Sequence, residues 1–217
     1  MKQNINLGAY GWRHPQWSNT FYPEDLPVGG PEDWQLTYFS NEFNAVLVPA
    51  AYWQTGDSVD CDCWLDAVHQ GFQFFVECHV NMLAVMSMAE LTANLKKLQP
   101  QLAALVFLDE HQQMSTSEKN QFYALADSLA LEAFGLDAVS DSAKEVTKTN
   151  IWRVDKPCPS NFAFIENDLS DLRLVRKIVE DFVSQSENGP ASIIVDHAQL
   201  QASDLSKFRS MLEIMGY

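Results

Sequence analysis

Eight short apolar segments, most of them separated by stretches of helical periodicity, constrain this chain more than any other feature of its sequence. They are Ile5–Tyr10, Ala45–Tyr52, Phe72–Val80, Leu102–Leu108, Leu129–Phe134, Asn150–Val154, Phe162–Ile165 and Ser192–Val195. The run Ala45–Tyr52 is continuously apolar and too short for most helices, so it reads as a strand buried on both faces. Between the strands, Trp34 and Tyr38 stand four apart before Phe43, and Val59–Val68 reads as a short helix. Ser87 with Glu90 forms a capping box ahead of Met88, Leu91, Leu95 and Leu98, and Ser115 with Glu118 repeats it. Leu172, Val175, Val179, Phe182 and Val183 define the clearest helix, stopped by Asn188-Gly189-Pro190; Leu205, Phe208, Leu212 and Met215 define the last.

Strands that alternate with helices pair in parallel, because each return crossing needs a helix, and those helices cover the outside of the sheet. Eight such units predict an α/β fold, a small TIM (β/α)8 barrel formed by residues 1–217 as a single domain. Some connecting helices are expected to be missing in the second half, where Pro157 and Pro159 mark a turn without room for one. The alternative is a doubly wound open sheet. Against it, Gly8 and Gly11 lead into Trp12-Arg13-His14-Pro15 and not into a dinucleotide fingerprint, and no Walker sequence occurs.

Charge narrows the partners. Lys and Arg total 14 against 29 Asp and Glu, a formal charge of -15. Such a field repels phosphate backbones, so no nucleic-acid partner is expected. The amino-terminal residues lack the apolar core of a signal peptide, and no stretch approaches the ~18 apolar residues of a membrane helix. The expectation is a cytoplasmic protein with no membrane partner. Cys61, Cys63, Cys78 and Cys158 do not make a disulfide framework, and no second Cys/His pair follows Cys61-Asp62-Cys63 at zinc-finger spacing, so free thiols are expected.

Gly8-Ala9-Tyr10-Gly11-Trp12, followed by Trp17, Phe21-Tyr22-Pro23 and the Tyr38 to Phe43 stretch, resembles the opening of the domain of unknown function 72, or YecE-like, family. The resemblance implies a TIM barrel without an established activity. A Phe-x-Phe third strand, a Leu-Phe fourth strand, a Glu at the fifth and a Pro-rich link before the seventh continue it. It also implies that the family's polar site is largely replaced. Its Thr-Ser becomes Ala9-Tyr10, and its Val-Glu-Ile-Asn becomes Val46-Leu47-Val48-Pro49. A strand-three Lys falls on Glu77, and a strand-seven Arg and His on Glu166 and Asp168. Its paired Asn falls on Asp196-His197 and its strand-four Gln on Leu108. The strand-five Glu survives as Glu132, with Phe134 in place of its companion Arg.

Barrel sites are built from the carboxyl ends of strands and the loops beyond them. Candidate catalytic groups are therefore Glu132, Glu77 and Glu166; a carboxylate in an apolar mouth would have its pKa raised toward the general-base range. Trp12, His14, Tyr52, Trp53, Asp196 and His197 are candidate ligand-binding residues, with aromatic walls suited to sugar or planar rings. His79 and Asp168, with Glu110 near the fourth strand's end, are candidate ligands for a divalent metal such as Zn, Mn or Mg. Two functional classes follow. One is a noncatalytic relative that binds a small molecule or a partner protein. The other is a hydrolase or isomerase acting on a neutral or cationic small molecule, through carboxylates or a divalent metal at the mouth.

Overall fold

The computed structural model describes residues 3–26, 33–53, 60–79, 81–108, 114–135, 148–187 and 189–217. In chain order the elements are β1 (Ile5–Tyr10), α1 (Trp34–Glu42), β2 (Ala45–Val48), α2 (Cys61–Asp66), β3 (Gln73–Glu77), α3 (Met82–Val85) and α4 (Met88–Leu98). They continue as β4 (Leu102–Phe107), α5 (Thr116–Ser128), β5 (Glu132–Gly135), β6 (Lys148–Thr149), β7 (Phe162–Ile165), α6 (Leu172–Gln185), β8 (Ala191–Val195) and α7 (Ala202–Met215). Short 3-10 turns occupy Pro15–Trp17 and Ala50–Trp53.

All the strand pairs are parallel, in the order β6-β5-β4-β3-β2-β1-β8-β7. Just beyond β6, Trp152 forms a parallel bridge with Ala163 of β7, its amide donating to the Phe162 carbonyl at 2.9 Å. The sheet curls tightly enough that Phe75 of β3 and Phe134 of β5 both meet Phe162 of β7, with ring centroids 4.8 Å apart in each case.

Alternation along the strands divides the core in two. Val46, Phe74, Leu105, Ala163 and Ile193 face outward and pack with the buried faces of the helices, among them Leu91, Leu95, Phe182 and Phe208. Leu47, Phe75, Val106, Phe134, Phe164 and Ile194 point to the concave side and form a second apolar cluster. A period-2 strand buried on both faces needs apolar residues at every position, which is why β2 reads as an unbroken hydrophobic run. At the amino end of the concave side the cluster gives way to polar groups, where Asn6 Nδ2 and Ser192 Oγ both donate to Gln73 Oε1 at 2.9 and 3.3 Å.

Both capping boxes form as the sequence predicts. Several boundaries differ. The second strand ends at Val48, because Pro49 has no amide to give the ladder, and the apolar run continues as the 3-10 turn. The fifth begins at Glu132 because Leu129 caps α5 and Ala130 takes a left-handed conformation, φ 54°. The sixth is reduced to Lys148–Thr149 and the Trp152 bridge. Residues 150–161, between β6 and β7, contain no helix; residues 136–147 lie outside the described residues. No helix among the described residues is long and apolar enough to cross a membrane. None of the four cysteines is joined in a disulfide, and burial pushes the Cys61 thiol up to about 12.

Candidate active site at the carboxyl ends of the strands

The concave-side parity that places Leu47 and Phe75 inside also brings the last inward residues of β1, β3, β7 and β8 to one end of the sheet. Tyr10 ends β1, Glu77 ends β3, and Glu166 and Asp196 follow β7 and β8 directly. Glu77 is almost wholly buried, and its Oε2 accepts from the Tyr10 hydroxyl at 2.6 Å and from the Ala50 amide at 2.7 Å. These two charge-assisted bonds hold the carboxylate in place. The Tyr10 ring meets the edge of Phe164 at 6.2 Å. Burial, the Glu77 charge and its hydrogen bond push the Tyr10 hydroxyl far above its ordinary pKa, so Tyr10 is a fixed, neutral donor.

Asp196 lies within electrostatic reach of two further carboxylates. Burial first, then the negative charges of Glu166 and Glu77, raise its pKa to about 6, against a smaller opposing effect of His197. Arg153 supplies the local cation. Its side chain is 6% exposed, its Nη2 pairs with Glu166 Oε2, and its guanidinium lies 5.5 Å over the Phe164 ring. The mouth thus combines a locked carboxylate, a carboxyl whose pKa is raised to about 6, an ion pair and a phenol donor. That set can accept hydrogen bonds, neutralise a cation and exchange a proton.

Of the predicted residues, the structure gathers Glu77, Glu166, Asp196 and His197 here. It places Glu132 elsewhere. Glu132 is exposed and is the first residue of β5, paired with Ala104 near the start of β4, so it stands toward the amino end of the sheet, away from an apolar mouth. The late start of β5 is the physical reason.

The aromatic wall is also core. Trp12 is fully buried and packs edge-on against Tyr52 and Trp64, and Trp53 is buried against Trp64. The Tyr52 hydroxyl accepts from the amides of Trp12 and Arg13 at 3.3 and 3.0 Å. His14 lies against Trp17 with ring centroids 4.1 Å apart and planes tilted by 37°; burial lowers its pKa, against a smaller opposing effect of the Gly11 and Tyr10 backbone.

The two predicted metal ligands are engaged locally. His79 Nδ1 accepts from the Asn81 amide at 3.1 Å, and both Asp168 oxygens accept from Ser170 at 2.9 Å. Among the described residues no three His, Cys, Asp or Glu side chains are grouped to hold a metal ion. Glu110 lies outside the described residues.

Two members of the site, Tyr10 and Arg153, are not among the candidate residues that the sequence points to. Both were legible from alternation, since Tyr10 shares a face with Asn6 and Gly8, and Arg153 shares one with Ile151.

Solved structures share this architecture. A DUF72 family protein from Thermotoga maritima aligns with a TM-score of 0.64 at 14% identity, over 97% of this chain and 100% of that one. A DUF72 family protein from Enterococcus faecalis aligns at 0.53 with 10% identity, over 100% of this chain and 99% of the other. A D-psicose 3-epimerase, solved in the presence of D-fructose, aligns at 0.52 with 8% identity, over 96% of this chain and 98% of its own. At such identities the likeness is one of fold. The comparison with curated proteins finds no match. Residues 6–129 match the family described as Protein of unknown function DUF72, and the chain belongs to that family.

Proposed function

We propose that the chain binds a small neutral or cationic molecule at this mouth, as a noncatalytic ligand-binding member of its family. The observation that carries the proposal is the convergence of Glu77, Glu166 and Asp196 at the carboxyl ends of β3, β7 and β8, with Tyr10 as donor. Three carboxylates against Arg153, the cation among the described residues of the mouth, leave the site electronegative, which suits hydroxyl and ammonium groups and disfavours phosphate. In this proposal nucleic acid is therefore no partner, the Trp152–Ala163 bridge closes the sheet into a complete barrel, and cysteines without a disulfide match a cytoplasmic setting.

A second reading, a hydrolase or isomerase, is favoured by one feature. The Asp196 carboxyl, with its pKa raised to about 6, has the proton affinity of a general base at neutral pH. The test is a thermal-shift screen of polyols and small amines against phosphate and sulfate, on the parent and on Asp196→Asn. Binding predicts stabilisation by members of the first group, weakened in the variant. Stabilisation by anions alone would overturn the proposal. Turnover of a bound polyol or amine that disappears in Asp196→Asn would select the enzyme.

A further inference from the structure

We infer that Asp33 is a positioning residue for Glu77, acting through a clamp that ties the segment after β1 to the turn after β2. Asp33 precedes α1 and lies well away in sequence from the strand ends that make the mouth. As the cap of α1 its Oδ1 accepts from the Leu36 amide at 3.0 Å. Capping needs only that bond. The same carboxylate also accepts from Trp12 Nε1, at 3.2 and 3.1 Å, and from Arg13 Nη2 at 2.8 Å, while its side chain is only 10% exposed.

Those bonds fix the loop that leaves β1. Gly11 takes φ +75°, and a Cβ there would stand 2.7 Å from the Tyr52 hydroxyl, so loop and turn are in close contact. The Tyr52 hydroxyl receives the Trp12 and Arg13 amides, and the Arg13 guanidinium lies 4.9 Å over the Tyr52 ring. Asp33 neutralises that guanidinium and holds it there.

Each half of the clamp supplies a donor to Glu77. Tyr10 adjoins Gly11, and Ala50 opens the 3-10 turn that contains Tyr52. Displacing the turn relative to the loop would therefore separate the two donors that meet on one carboxylate oxygen. The inference rests on the proposed ligand mouth only for its functional meaning, since the clamp itself is testable without ligand.

The test is hydrogen exchange at the Ala50 amide in the full chain. Asp33→Asn keeps a good helix cap and removes the charge; the exchange of Ala50 should rise about tenfold, the factor for ~1.4 kcal/mol of lost local protection. Asp171→Asn, which alters the cap of α6 and touches nothing in the clamp, should leave Ala50 unchanged. Arg13→Gln should reproduce the rise, and combining it with Asp33→Asn should add little. Equal Ala50 exchange in parent and Asp33→Asn, or an equal rise in Asp171→Asn, would overturn the inference. If Asp33→Asn does not fold, Arg13→Gln alone decides by the same readout. Faster Ala50 exchange in Asp33→Asn combined with no ligand in the thermal screen would leave the clamp standing and discard only the proposed function.

Discussion

Tyr10 and Glu77 meet across β2: the hydroxyl at the end of β1 donates to the carboxylate at the end of β3 at 2.6 Å, with an intervening strand between them. In a tightly curled parallel sheet, inward side chains of alternate strands share a layer. Phe75, Phe134 and Phe162, on the third, fifth and seventh strands, repeat that arrangement one layer below. Among the described residues, the Tyr10 hydroxyl is one of two donors to a carboxylate with almost no access to water. Tyr10→Phe should therefore destabilise the fold by about 1.5–3 kcal/mol, the range for a hydrogen bond to a charged group. Urea unfolding of the two proteins checks it; equal midpoints would mean that Glu77 finds another donor.

Backbone proximity gives a second expectation. A Cβ on Gly8 would stand 1.9 Å from the Ala45 carbonyl oxygen, so β1 and β2 pair only because that position is glycine. At Gly135 the nearest atoms are 3.4 Å away, an ordinary contact. Gly8→Ala should cost about 1–3 kcal/mol or more, as overpacking does, while Gly135→Ala stays close to neutral. Comparable midpoints for the two variants would contradict the register of β1 on β2.

The order of strands and helices was legible because burial on both faces of a parallel sheet leaves an apolar run that needs no further information, as in Ala45–Val48. Capping boxes were legible because Ser87 with Glu90, and Ser115 with Glu118, are local patterns. The start of β5 was not, because it depends on Ala130 adopting a left-handed turn that nothing in its side chain demands. That shift moved Glu132 from mouth to strand start. The fate of Trp12 and Trp53 was hidden for another reason: an indole near a strand end looks the same whether it lines a cleft or packs on Trp64, as both do here. Asp33 was hidden because its partners are Trp12 and Arg13, some twenty positions earlier in the chain.

Divalent metal should do little to stability. His79 Nδ1 and both Asp168 oxygens already accept hydrogen bonds from neighbouring residues, and a metal would have to displace them. Added Mn or Zn is expected to leave the melting temperature of the parent and of His79→Ala alike. A rise of several degrees in the parent that vanishes in His79→Ala would restore His79 as a ligand.

Asp196 should contribute a pH dependence to the fold that one substitution isolates. Its folded pKa, about 6, lies above the ordinary 3.8, so the folded chain keeps a proton that the unfolded chain has released between those values. The favourable contribution is complete below about pH 4, shrinks as pH rises, and is gone above about 6. Asn cannot ionise and resembles the protonated acid in shape. Asp196→Asn should therefore match the parent near pH 4 and be the more stable protein at pH 7 to 8. Other groups bend the parent's own curve. Buried His14, with its lowered pKa, favours folding as pH rises, and the hydrogen-bonded carboxylates of Glu90, Glu118 and Asp168 lose their contribution at acid pH. Those effects are common to both proteins and cancel in the difference. Urea midpoints measured from pH 4 to 8 on both should diverge with a transition centred between pH 4 and 6. Parallel curves would place Asp196 at an ordinary pKa and disperse the three carboxylates of the mouth.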